Sequence, residues 1–192
     1  MINFSNIHVN YKNAKLLLKW RRKDYIQTNS LTNVGASTKK QISWLKNSHY
    51  KKDYHHWFIK FKKKRIGWIC LTEPNLKSKS IRWGYYVGEK KYFYLGVEIP
   101  CYLFNFIFFN LKFKKIIAET LTNNMAMDKI LKFHGFKKTN IIKKFTTKKG
   151  KSVDRYNLDL TLKYWLKQKQ FHKYKYNFKL PKNKKILNTL RY

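Results

Sequence analysis

Few side chains in this 192-residue chain carry chemistry by type and spacing alone. Glu119 and His134 are two that could move a proton, since a carboxylate or an imidazole can do so near neutral pH. Glu119 lies five residues before Asn124, a residue type that caps helices. With 44 basic and 9 acidic residues in the chain, ion pairing competes for its carboxylate. His134 is three residues beyond Leu131 and could share its helix face. It also directly precedes Gly135, where an exposed helix end is the competing role. Trp20, Arg21 and Arg22, together with Trp83, Tyr85 and Tyr86, offer stacking surfaces and anion partners. Core packing and a solvated helix face compete for these. Gly96 suits either a backbone approach to a ligand or an ordinary turn. The pair His55-His56 has no partners at ligand spacing, so no metal is expected. Cys70 and Cys101 sit among apolar residues and form no motif. They read as buried free thiols, which fits a reducing cytoplasm.

Seven strand patterns and four helix patterns must position these residues. Asn3 to Val9 reads as a short strand, and Asn13 as the cap of a helix to Arg22 carrying Leu16, Leu17 and Trp20. Tyr25 to Gly35 has no period and reads as loop. Thr38 with Gln41 forms a capping-box pattern that opens a helix to Ser48. Trp57, Ile59 and Phe61 alternate with Phe58, Lys60 and Lys62, the period of a half-buried strand. A turn at Lys63-Lys64 leads to a strand over 65–73, closed by Pro74-Asn75. Further strands cover 80–87, 115–121, 137–145 and 153–162, the last two joined at Lys149-Gly150. Residues 88–96 form a loop before a helix over 100–110, which Pro100 can open. Another helix covers 125–133, and Gly135 stops it. The order is β-α-α-β-β-β-α-β-α-β-β, an α/β (α+β) pattern. Residues 1–166 form one domain, followed by a basic Lys/Tyr-rich extension over 167–192.

Composition narrows the function classes. The net charge of +35 would draw polyanions. Yet 38 of the 44 basic residues are lysine, whereas base reading and bidentate phosphate contacts favour arginine. Residues with A/T-rich codons supply over half the chain, so codon bias accounts for the lysines and no specific nucleic-acid partner is expected. The aromatic content of 18% argues against disorder. The longest apolar run, Ile99 to Leu111, is too short for a helix that crosses a membrane, and Met1 to Val9 is too polar for a signal peptide.

Three segments resemble the GNAT acetyltransferase superfamily. Leu18-Lys19-Trp20-Arg21-Arg22 is similar to a Leu-x-Trp-Arg-Asn signature. That signature marks a branch with ribosomal-protein acetyltransferases and an N-acetyltransferase for a UDP-linked amino sugar in pseudaminic acid biosynthesis. Trp83-Gly84-Tyr85-Tyr86-Val87-Gly88, then Lys91-Tyr92, is similar to the central strand and its exit toward the cofactor loop. Asn124 to Gly135-Phe136 has the family spacing. The resemblance implies a mixed, mostly antiparallel sheet flanked by helices and splayed where acetyl-CoA binds. It implies cofactor contacts at Tyr86, Val87, Tyr92, Gly96, Val97 and Asn124. It implies Glu119 as general base, His134 as a substitute acid, and Trp20, Arg21, Arg22, Trp83 and Tyr85 at the acceptor. The acceptor it implies is a primary amine, on a nucleotide-linked amino sugar. A protein N-terminus is an alternative, as is a non-catalytic binding module with a basic surface. Pairing is common in the family, which makes a homodimer one expected arrangement. The chain departs from the pattern at three positions. Phe93 replaces a polar residue, Glu98 a small one, and Leu131 the usual tyrosine acid.

Overall fold

The computed structural model describes residues 1–51 and 53–180. Among the described residues, seven strands form one sheet in the order β1-β2-β3-β4-β5-β7-β6. They are β1 Ile2–Asn6, β2 Tyr54–Phe61, β3 Lys64–Asn75, β4 Ser80–Val87, β5 Lys115–Leu121, β6 Lys137–Lys148 and β7 Lys151–Thr161. Only β4 and β5 run parallel; the other neighbours are antiparallel. The mixed, mostly antiparallel sheet matches the expected class.

Helices cover both faces. α1 (Tyr11–Arg21), the short α2 (Asp24–Gln27) and α3 (Thr38–Tyr50) belong to one side. Leu17, Trp20 and Leu45 there pack with Phe58 of β2. α4 (Ile99–Asn105) continues as a π-helical turn over Phe106–Asn110 and contributes Leu103, Phe104 and Phe106 to the larger core. α5 (Met125–Phe133) follows β5, and α6 (Leu162–Lys167) follows β7.

Several boundaries differ from expectation. Asn10, not Asn13, caps α1 by accepting from the Asn13 amide at 2.9 Å. Asn13 is buried and donates to the His8 carbonyl. Ser37 caps α3, one residue ahead of Thr38. The β2–β3 turn falls at Lys62 and Lys63, both in the left-handed region. Pro74 does not end β3, because the pairing with β4 shifts between Thr72 and Asn75 and absorbs it. α2 occupies part of the segment expected as loop. Gly135 does close α5, at φ +91°, where an added Cβ would overlap the Tyr164 ring.

Over its described part, the expected extension packs against the main core. Phe171 and Phe178 belong to the main core. Asn105 donates to the carbonyls of Phe171 and Tyr174, both at 2.9 Å. Phe178 stacks on Phe4 with ring centroids 4.0 Å apart, and the Trp57 indole donates to the Lys179 carbonyl. Residues 168–180 are thus a strap closing the core. The remainder of the expected extension, 181–192, lies outside the described residues.

Candidate active site

The parallel pair β4 and β5 is joined only at Ser80–Lys115, Ile81–Ile116 and Arg82–Ile117. Beyond that, β4 runs on to Val87 and β5 to Leu121 without pairing to each other. Two strands that diverge leave backbone donors and acceptors facing a gap, and such groups need partners. A cleft of about 590 Å³ opens there. Its lining includes Trp83 to Val87 of β4, Ala118 to Thr120 of β5, Asn124 and Leu131 of α5, Gly96, and the 29–32 loop.

Charges gather where the strands part. Arg82 donates to Glu119 Oε1, and Arg155 Nη1 lies 3.0 Å from the same oxygen. Arg82 Nε also pairs with Glu73 at 3.0 Å. Among the described residues no partner meets Glu119 Oε2. The carboxylate is thus both ion-paired and part of the cleft wall. Arg21 lines the cleft as well. Its Nη2 donates to Thr32 Oγ1 at 2.8 Å, and the guanidinium lies over the Trp44 ring. Among the described residues it has no carboxylate partner. Burial lowers its pKa, with opposing contributions from Tyr86 and Tyr54.

Aromatic rings form the walls. Tyr86 stacks on Trp68 with centroids 5.3 Å apart, and Tyr85 stacks on Trp83 at the same separation. Burial pushes both phenols above the usual tyrosine range. The Tyr85 hydroxyl donates to the Gly96 carbonyl at 2.8 Å, tying the loop before α4 to β4. Asn124 caps α5 by accepting from the Met127 amide.

Eight expected site residues therefore share one cleft or its wall: Arg21, Trp83, Tyr85, Tyr86, Val87, Gly96, Glu119 and Asn124; the altered Leu131 lines it too. Five others are placed elsewhere. Trp20 is fully buried; its indole donates to Glu89 at 2.7 Å and its ring lies against Gly88. It supports the start of the loop and does not line the cleft. Arg22 is exposed at the end of α1. Tyr92 packs its ring against Phe61. The Val97 side chain is exposed, and its carbonyl contacts His134 Nε2 at 3.0 Å. His134 is fully buried between that carbonyl and that of Ile130, with Cys101 Sγ 3.3 Å away. Burial holds its imidazole below the usual histidine range, although the carbonyl contacts act the other way. It faces α4, not the cleft, because α5 turns that side toward the core.

Sequence reasoning missed Arg82, Arg155, Glu73, Trp44 and Trp68. The sequence put a strand over 80–87, and side chains alternate across a strand. That alternation could have put Arg82, Gly84 and Tyr86 on one face, but nothing in it points to an ion cluster. A second hollow of about 690 Å³ runs along α3 by Lys40, Trp44 and Tyr54. Its lining includes no residue of β4 or β5 and no carboxylate or imidazole. Among the described residues, no group of three or more His, Cys, Asp or Glu is arranged to hold a metal ion. Among them also, no helix is long and apolar enough to cross a membrane.

Comparison with known proteins decides the family. Residues 9–137 match the family model described as an acetyltransferase (GNAT) domain. The chain belongs to the GNAT acetyltransferase family. Solved structures agree on the fold. The spermidine N-acetyltransferase of Vibrio cholerae, in complex with CoA and spermine, superposes with a TM-score of 0.76 at 12% identity, covering 86% of this chain and 98% of that one. A GCN5-related N-acetyltransferase from Brucella melitensis gives 0.71 at 16% identity, covering 88% and 79%. No curated protein matches the chain.

This GNAT protein is an acetyl-CoA-dependent N-acetyltransferase. The donor fits the residues present. β4 offers a strand edge along 83–87 that β5 leaves free, and an extended amide-bearing arm can pair with such an edge. Gly96 has its Cβ direction only 3.0 Å from the Phe93 carbonyl, so the loop is tight there. When bound, the donor supplies an activated acetyl thioester. The protein's own part is to hold it, exclude water and manage the amine's proton.

Proposed function

We propose that this acetyltransferase modifies the primary amine of a negatively charged acceptor, a nucleotide-linked amino sugar. The observation that carries the reading is the charge balance of the cleft. Its carboxylates, Glu73 and Glu119, are already matched by Arg82 and Arg155. Arg21 is left over. A polyamine would need free carboxylates, and a polycation would also meet the field of a chain with net charge +35. An acceptor phosphate meets Arg21 instead, in a fork geometry suited to it. Trp44, Trp68, Trp83 and Tyr86 supply flat surfaces for a sugar or a base.

Glu119 serves as the base through Oε2, while its other oxygen anchors it to the two arginines. Leu131 offers no proton, so the departing thiolate takes its proton from water. The resemblance of Leu18 to Arg22 to the pseudaminic acid branch supports the same acceptor class. Both cysteines are free and buried, which accords with a cytoplasmic enzyme.

The test is CoA release with three acceptors at moderate salt: a UDP-linked 4-amino sugar, the same sugar without nucleotide, and spermidine. The nucleotide-linked sugar should have the highest kcat/KM. A preference for spermidine, or for a peptide N-terminus added as a fourth arm, would remove this reading.

A further inference from the structure

Lys148 is a buried cation that nothing described above uses. It ends β6, and only 6% of its surface is exposed. Its ammonium donates to Asn33 Oδ1 at 2.6 Å and to the Gln27 carbonyl at 3.1 Å. Both partners are neutral. Burying a charge without a counter-charge costs several kcal/mol. An acid is at hand on α2, yet it goes to the next residue of the hairpin: Lys149 pairs with Asp24 at 2.9 Å. Among the described residues no carboxylate forms a salt bridge with Lys148.

The neighbouring charge makes matters worse. Arg21 rests on Thr32 and Lys148 rests on Asn33, consecutive residues of the loop that borders the cleft. Two cationic heads, one from α1 and one from the end of β6, thus meet on one short loop. Burial and repulsion by Arg21 both push the Lys148 pKa down. If the task were only to tether the loop, a neutral amide would serve at lower cost. The neutral partners also leave donors spare. Arg21 spends one of its five N–H groups on Thr32, and Lys148 two of its three.

We propose that Arg21 and Lys148 together form an anion subsite at the edge of the acceptor cleft that binds the acceptor's diphosphate. This rests on the acceptor being nucleotide-linked. Arg21 supplies a fork to two oxygens and Lys148 a point charge to a third. The dianion supplies the counter-charge both cations lack. The subsite fixes the acceptor by its phosphates, so that specificity against neutral and cationic amines comes from positions remote from the reacting nitrogen.

Calorimetric titration of inorganic diphosphate into the full chain saturated with CoA tests the idea. Arg21→Gln and Lys148→Gln should each weaken binding about tenfold, the scale of a lost charge-assisted hydrogen bond. Lys148→Arg should keep most of the affinity. Lys163→Gln, an exposed change on α6, controls for bulk charge and should bind like the parent. Affinity for CoA itself should be unchanged in all four. Parent-like diphosphate binding in Arg21→Gln and Lys148→Gln would overturn the proposal. So would an equal loss in Lys163→Gln, or a parallel loss of CoA affinity, which would assign the pair to the donor's phosphates. Should Lys148→Gln fail to fold, Arg21→Gln reads the same subsite from α1. A loss of diphosphate binding in the variants, with no acetylation of the UDP-linked sugar by the parent, would keep the subsite and discard the sugar.

Discussion

Arg82 of β4 and Glu119 of β5 are paired at the point where these two strands stop pairing with each other. The last backbone register is Arg82 with Ile117, and the side-chain bridge to Glu119 lies just beyond it. The bridge therefore sits at the apex of the cleft, and Arg155 holds it from β7. On the proposed mechanism a carboxylate in that position has two duties, which Glu119→Gln separates. The amide keeps an oxygen for the arginines but cannot take a proton from the amine. We expect kcat to fall by about 100-fold, the lower range for losing a general base, with KM for acetyl-CoA little changed. Thermal stability should also drop, by about 1–3 kcal/mol, because the pair is only partly exposed. Single-turnover kinetics and a melting curve on one preparation read both. Unchanged kcat with a lowered melting point would make Glu119 purely structural.

Much of this arrangement was legible in the sequence, and the failures have physical causes. Alternation marked one strand, β2, although the structure buries both its faces over residues 55–59, and turn signals such as Lys149-Gly150 bounded others, so all seven strands were found in order. Asn124 and Gly135 announced the ends of α5 because capping and positive φ restrict residue type. The strap was not legible. Phe171, Tyr174, Tyr176 and Phe178 have no helix or strand period, and partners such as Asn105 and Trp57 are distant in sequence. Lys148 was invisible for a different reason. It is one of 38 lysines, and only the fold of the hairpin over the 27–33 loop sets it apart. His134 misled because the residue before a helix-ending glycine can face either side; here it faces the core.

Glu98 gives a prediction of the opposite sign from most substitutions. It stands immediately before α4, exposed and without a side-chain hydrogen bond. A carboxylate at the cofactor-side loop repels a diphosphate. Glu98→Ala should tighten acetyl-CoA binding by a few-fold, since one exposed charge near a helix start is worth about 0.3–1 kcal/mol. Raising salt should shrink the difference between the two proteins. Calorimetry at two salt concentrations decides it. Weaker binding in the variant would mean that Glu98 helps to shape the loop.

Gly88 follows β4 directly, against the Trp20 indole. An alanine Cβ there would fall 2.4 Å from the ring, and Trp20 is fixed by Phe58, Tyr86 and its bond to Glu89. Gly88→Ala should destabilise the fold by about 1–3 kcal/mol, the usual cost of overpacking. Activity should fall further than stability explains, because the loop to Gly96 starts here. Gly150, with open space around its Cβ direction, is the contrast in packing. Chemical denaturation midpoints and kcat/KM measured side by side would show it.

His134 predicts a specific pH window for stability. Its pKa is lowered in the folded protein, chiefly by burial. The unfolded chain therefore binds the extra proton more readily. This contribution is complete above the unfolded value of about 6.5. It is lost as pH falls from there through the folded value, at up to about 1.4 kcal/mol per unit. The carboxylates Asp128 and Glu89, lowered by lysine and tryptophan partners despite burial, lose their contribution only in more acid solution. Denaturant midpoints between pH 7.5 and 5 should thus decline in the parent. His134→Gln should flatten that decline while lowering stability overall, since it disturbs the contacts with Ile130 and Val97. A parent curve that is level across this range would mean that His134 is not buried neutral.

The strap makes the sharpest claim about the extent of the domain. Phe178 is wedged among Phe4, Trp57 and Phe106, with ring centroids 4.0 to 5.1 Å apart. Asn177 accepts from the Phe4 amide on the outer edge of β1, which would otherwise be an open strand edge. Removing a buried phenylalanine costs about 3–5 kcal/mol, a large share of the roughly 5–15 kcal/mol that holds a domain together. Phe178→Ala should therefore lower the melting temperature by about 6–20 °C at 2–4 °C per kcal/mol. Truncation after Leu166 should prevent folding altogether, because it also strips Phe171 and both carbonyl partners of Asn105. A chain cut there that still melted cooperatively at the parent temperature would return the strap to the status of an appendage.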